Sequence, residues 1–158
     1  MSNFQIITTP VTATDISVNN FGKLTKENFD YFNGIKQTTP PIPLISGDTV
    51  LTTSHKAYFP IFGKLVGGTL TNVWLSCTNA STSGAVEIAI KQTPGGQSMC
   101  TTNFTMDEGE TNSLDPAVPG VIDTSHDDLV EGNMMEISVV NAGTGVLNFC
   151  VTPEYTPA

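Results

Sequence analysis

Val86-Glu87-Ile88-Ala89-Ile90-Lys91 decides the fold of this chain. Successive side chains of an extended strand point to opposite faces, so Val86, Ile88 and Ile90 share one face and Glu87, Ala89 and Lys91 the other. The same period recurs outward in both directions. Val73, Leu75 and Cys77 alternate with Asn72, Trp74 and Ser76. Met135, Ile137 and Val139 alternate with Glu136 and Ser138, and Leu147, Phe149 and Val151 with Asn148, Cys150 and Thr152. Met99 to Met106 is read as a strand with Cys100, Thr102, Phe104 and Met106 on one face, and Val50 to Ser54 and Ala57 to Phe62 as two more. Between these runs lie turn residues: Gly67-Gly68, Ser83-Gly84, Pro94-Gly95-Gly96, Asp107-Glu108-Gly109, Gly132-Asn133 and Gly143-Thr144-Gly145. About seven short alternating strands at such spacing predict a mainly β protein, an antiparallel β-sandwich with jelly-roll-like character.

Composition agrees. The 158 residues suffice for one domain with its own core. Charged residues make up 13%, about half the usual share, and Thr, Asn, Ser, 14 Gly and 10 Pro carry the polar load. No apolar run approaches the roughly 18 residues that span a bilayer. Met1-Ser2-Asn3-Phe4 lacks the basic start and apolar stretch of a signal peptide, which predicts synthesis in the cytoplasm. Cys77, Cys100 and Cys150 have no metal-ligand spacing, and Cys77 and Cys100 are expected to be buried free thiols in a reducing compartment.

Net charge is −9, and all six cations are Lys. Arg is the preferred bidentate partner of phosphate and guanine, so its absence in an acidic chain argues against nucleic acid and against anionic membranes. The charge is unevenly placed: residues 1–91 carry net +1 and residues 92–158 net −10. Such an acidic half serves as a solvated surface, or meets a basic partner or a divalent cation.

Ahead of the strands the pattern differs. Residues 1–21 read as an extended polar arm, and Leu24 to Ile35 as one short helix with Thr25 as N-cap. Phe29, Phe32 and Ile35 share a face of that helix. A helix this short is marginal alone in water, so this face needs a docking surface. Pro40, Pro41 and Pro43 mark a linker. The expected organisation is an arm with a helix over 1–40 and a sandwich over 41–158.

No constellation converges on catalysis. Ser125-His126-Asp127-Asp128 holds the residue types of a triad, but neighbours in one loop point apart and cannot form the relay. His55 reads as a structural or merely exposed histidine. Asp107-Glu108-Gly109-Glu110 and the group Asp123, Asp127, Asp128 are acidic loops that would hold a cation only if the fold joined them. Turn chemistry already accounts for Asp107 and Gly109. Asn79-Ala80-Ser81 and Asn103-Phe104-Thr105 are chance glycosylation sequons. Trp74, the one tryptophan, falls on the polar-facing register of its strand. There it is a platform for a sugar, an anchor of a subunit contact, or an edge-packing residue. No catalytic residue, metal or cofactor is expected.

Two segments carry a resemblance. Phe21-Gly22-Lys23-Leu24-Thr25-Lys26-Glu27-Asn28-Phe29 is similar to a short segment near the start of tailed-phage fibre and head proteins. Gly68 to Tyr155 resembles a β-sandwich module of phage virion proteins. It does so through Gly68-Thr69-Leu70-Thr71-Asn72-Val73, Phe104-Thr105-Met106-Asp107-Glu108-Gly109-Glu110, Leu129-Val130-Glu131-Gly132-Asn133 and Gly143-Thr144-Gly145-Val146-Leu147. Gly132-Asn133 stands where that module has Gly-Asp, so no metal role is carried to the position. The resemblance implies a capsid decoration (cement) protein or head fibre on the virion surface, with the major capsid protein as partner. It also implies a symmetric homo-oligomer, a trimer by preference, and no catalysis. Candidate interface residues are Phe29, Phe32, Ile35 and Trp74. The alternative is a tail-fibre or receptor-binding module that reads a glycan on the host surface.

Overall fold

The alternation at residues 86–91 becomes a strand whose Val86, Ile88, Ile90 and Gln92 are buried. The computed structural model describes residues 36–158. In chain order their strands are β1 (Gln37–Thr38), β2 (Ile42–Pro43), β3 (Lys56–Pro60), β4 (Thr69–Ser76), β5 (Val86–Thr93), β6 (Gln97–Ser98), β7 (Cys100–Thr102), β8 (Phe104–Met106), β9 (Val121–Ile122), β10 (Met134–Ala142) and β11 (Cys150–Thr156). A single 3-10 turn at Gly63–Leu65 is the helical element among them.

Every pairing is antiparallel. In the larger sheet β10 lies between β3 and β5, and the far edge of β5 pairs with β6 near one end and β8 near the other. In the smaller sheet β11 is central. It pairs with β4 on one side, and with β1 and β2 in succession on the other. β7 and β9 form a ribbon of their own.

The buried faces meet in one core. Ile88 and Ile90 of β5 and Met135 and Ile137 of β10 join Val73 and Leu75 of β4 and Val151 and Tyr155 of β11 there, with Phe149 and Leu51 between strands. Burying each large apolar side chain contributes about 1.5–3 kcal/mol, which is what holds the sheets together. The chain is thus mainly β, built of antiparallel sheets over a shared core, as the period-two pattern predicts.

Several expected boundaries move. The run from Met99 to Met106 is broken: Cys100–Thr102 pairs with β9, whereas Phe104–Met106 pairs with β5. Asn103 sits at the break and donates from Nδ2 to Glu87 Oε1 at 2.7 Å. Val50 to Ser54 is no strand. Val50 makes an isolated bridge to Leu147, and the Thr52 N–H donates to His55 Nδ1 at 2.9 Å, which closes a turn. The last strand begins at Cys150 and runs through Pro153. Its inward row is therefore Val151, Pro153 and Tyr155. Pro153 is tolerated in this central strand because its carbonyl accepts from Thr39 N–H at 3.0 Å. Its missing donor thus faces the proline-bearing 39–41 segment and leaves the ladder to β4 intact.

The described unit begins at Lys36, and Gln37–Thr38, expected in the arm, is paired with Tyr155 and Glu154. Pro40 and Pro41 therefore lie between two short pairings on the edge of β11, and Pro43 belongs to the second. The expected helix over 24–35, with Phe29, Phe32 and Ile35, lies outside the described residues.

Candidate functional site

Trp74 stands in β4 opposite Thr152 of β11, on the face turned away from buried Val73 and Leu75, as its register predicts. It is half-buried. Its Nε1–H donates to Glu154 Oε2 at 3.3 Å. Glu154 also accepts from Thr71 Oγ1 at 3.2 Å and pairs with Lys36 Nζ at 3.1 Å. Burial pushes the Glu154 carboxyl up, but the hydrogen bonds from Lys36, Trp74 and Thr71 and the Lys36 charge outweigh it, leaving its pKa below the ordinary value. Beside the indole lies a cleft of about 230 Å³, lined by Asn72, Trp74, Phe104, Leu114, Pro116 and Pro119 among others. Indole, proline and leucine surfaces with a few polar groups suit an amphipathic contact.

A second cleft, of about 270 Å³, is lined by Gln92, Pro94, Gln97, Ser125, His126 and Asn133 among others. His126 Nδ1 lies 2.9 Å from Asp123 Oδ2, and Asp123 Oδ1 accepts from Ser125 N–H at 3.0 Å. Those bonds hold the Asp123 carboxyl below its ordinary pKa, the His126 bond foremost. They lie within one turn, and no hydrogen bond joins the Ser125 hydroxyl to His126 among the described residues. Gln92 is buried and braces the floor: its Nε2 donates to Asp128 O at 2.7 Å, and its Oε1 accepts from Asn133 Nδ2 at 2.7 Å.

The two acidic loops do not combine. Among the described residues no three His, Cys, Asp or Glu side chains form a group able to hold a metal ion. Asp107 and Glu108 hold loops instead. Asp107 Oδ2 accepts from Ala117 N–H at 2.7 Å, and Glu108 Oε2 from Gly84 N–H at 3.1 Å. All three cysteines are free; Cys100 is buried, but Cys77 is only half-buried, because it lies just past the end of β4. Burial pushes the Cys77 thiol pKa up, which makes it less reactive.

Exposed apolar side chains supply what the sequence reading missed. Phe62 is 64% exposed and Leu114 72%, with Tyr58 and Val118 also about half exposed. Residues 57–62 have apolar side chains on both registers, so alternation cannot say which face is inside. The structure turns Phe59 and Ile61 inward and Tyr58, Pro60 and Phe62 outward. The one sequence signal is position: Phe62 directly precedes Gly63, where the chain turns. Comparison with protein families, curated proteins and solved structures returns no match for this chain.

Proposed function

We propose that this chain is a non-enzymatic structural protein of a tailed-phage virion, with a jelly-roll-like sandwich as its body. It serves as a capsid decoration protein that binds the assembled head through the major capsid protein and stabilises it. The observation that carries this reading is a hydrogen-bonded frame with apolar side chains left outside. Asp107, Glu108 and Ser81 brace the loops, while Phe62, Tyr58, Leu114 and Val118 remain exposed. Apolar side chains left exposed at two edges of the sheet supply surface for contacts with a capsid or with other copies of the chain. The resemblance of Gly68 to Tyr155 to a virion module points to the capsid as the partner and to a self-associated, trimeric state. A protein that binds only the assembled shell stabilises it by mass action.

Copy number in purified particles, by quantitative mass spectrometry, tests this reading. Hundreds of copies in fixed ratio to the major capsid protein are expected. Absence from the particle overturns it. A few copies per particle favour the second reading, a tail-fibre or receptor-binding module that recognises a host glycan. The cleft beside Trp74 supports that alternative, since an indole flanked by Asn72 and Asp115 offers stacking and hydrogen bonding together. Glycan binding that disappears in Trp74→Ala is its expected result.

A further inference from the structure

We propose that copies of this chain join head to tail: the Phe62–Lys64 corner of one copy seats in an acidic recess at the opposite sheet edge of the next. The inference rests on the self-association put forward above and names its surface.

β3 is the outermost strand on one side of the larger sheet. Its outward row, Tyr58 and Pro60, continues into Phe62, where the backbone is still extended at φ −150 and ψ 167. Met134 pairs with Pro60 and adds to the same face. The chain then turns, and Lys64 follows two residues on, exposed and with no ion-pair partner among the described residues. Lys56, held by Glu136 at 2.6 Å, and Lys91 lie on the same outer face. Glu131 and Glu136 are the acids near this corner, so the face is mixed in charge and its tip at Lys64 is cationic. Lys56 and Pro60 blunt β3 against strand addition, which leaves a side-chain contact as the mode of association.

The far side of the sheet ends at β8. Residues 107–118 lie along it, fastened by Thr105 Oγ1 donating to Val118 O at 2.6 Å and by the bond from Ala117 N–H to Asp107 Oδ2. They form a recess of about 180 Å³ lined by Asp107, Glu110, Asn112, Leu114, Asp115 and Pro116. Three carboxylates and two apolar side chains line it, and no lysine does. An aromatic ring beside an ammonium group matches that lining in both hydrophobicity and charge.

Within one chain the two features cannot meet. β10 and β5 separate β3 from β8, which sets the edges about 14 Å apart by strand spacing alone. The partner assigned to the recess is a second copy, because its corner offers the exposed aromatic ring and the cation that the acidic, partly apolar lining complements. Each copy carries one corner and one recess, so the contact is heterologous; with a rotation that closes, it gives the three-membered ring that the proposed trimer requires.

Analytical ultracentrifugation of the full chain tests this. The wild type is expected to form a closed oligomer of constant mass that loosens as salt rises. Phe62→Glu and Asp115→Lys alter exposed side chains and should keep the wild-type circular dichroism spectrum. Each alone is expected to raise the concentration needed for assembly by at least about tenfold. Mixed together, they have one intact corner and one intact recess between them, and a 1:1 dimer that grows no further is expected. A wild type that stays monomeric overturns both this inference and the self-association on which it rests. Oligomers that persist unchanged in both variants overturn this surface alone. So does a mixture with no dimer. No capsid enters the assay, so its result is separate from head binding.

Discussion

Glu154 shows how one residue ties the smaller sheet to the start of the described chain. It receives the Trp74 indole N–H, the Thr71 hydroxyl and the Lys36 ammonium group, and its pKa is held below the ordinary 4.5. A carboxyl whose pKa is lowered on folding adds stability that is present above its unfolded pKa and lost as pH falls through the folded value. Urea-unfolding midpoints should therefore decline below pH 4.5 in the wild type, and Glu154→Gln should flatten that decline and lower the plateau at neutral pH. Ser81 does comparable work between loops. Its buried Oγ donates to Gly84 O at 2.6 Å and accepts from Thr144 N–H at 2.9 Å. Gly143 sits against it at φ +59, where a Cβ would collide with Ser81 Oγ. Ser81→Ala removes these bonds, whose partners Gly84 and Thr144 are exposed to water, and is expected to cost about 0.5–1.5 kcal/mol per bond lost, read from chemical denaturation.

Among elements, β5 carries the most. It pairs with three neighbouring strands, and β10 follows it almost from end to end. A bulge between Val139 and Asn141 shifts the register, leaving Val140 exposed. Ile88 faces the shared core with no exposed surface. Ile88→Ala is expected to destabilise by about 2–5 kcal/mol, since a cavity is added to the lost burial. A fall in the urea midpoint with an unchanged slope is the observation that checks it. The Lys56–Glu136 pair on the opposite face of the same sheet raises the Lys56 pKa through that bond. The lysine is solvated, so Lys56→Met should leave the midpoint nearly where it is.

For the whole molecule, the described unit has its own core, and β1 and β2 complete the edge of β11. A chain starting at Lys36 is expected to unfold in one cooperative transition, whereas one starting at Gly47 loses both edge strands and should melt lower. Calorimetry of the two fragments decides. The acidic half at 92–158 supplies loops 107–118 and 123–128, and it makes any contact with a cationic surface sensitive to salt.

Local pattern alone determined that this chain is an antiparallel β protein. Strand alternation is a property of neighbours along the chain, and Val86 to Lys91, Met135 to Val139 and Asn72 to Ser76 display it without ambiguity. The same locality settled the face of Trp74. It did not reach the split at Asn103, where one apolar run divides between partners remote in sequence, nor the use of Gln37 and Thr38 as an added strand. Nor could it tell Phe62 from Phe59, because both registers of that strand are apolar and burial depends on what packs against each. Only the tertiary structure placed the cationic corner and the acidic recess on opposite edges of one sheet, since strand order is set by long-range pairing and not by any stretch of residues.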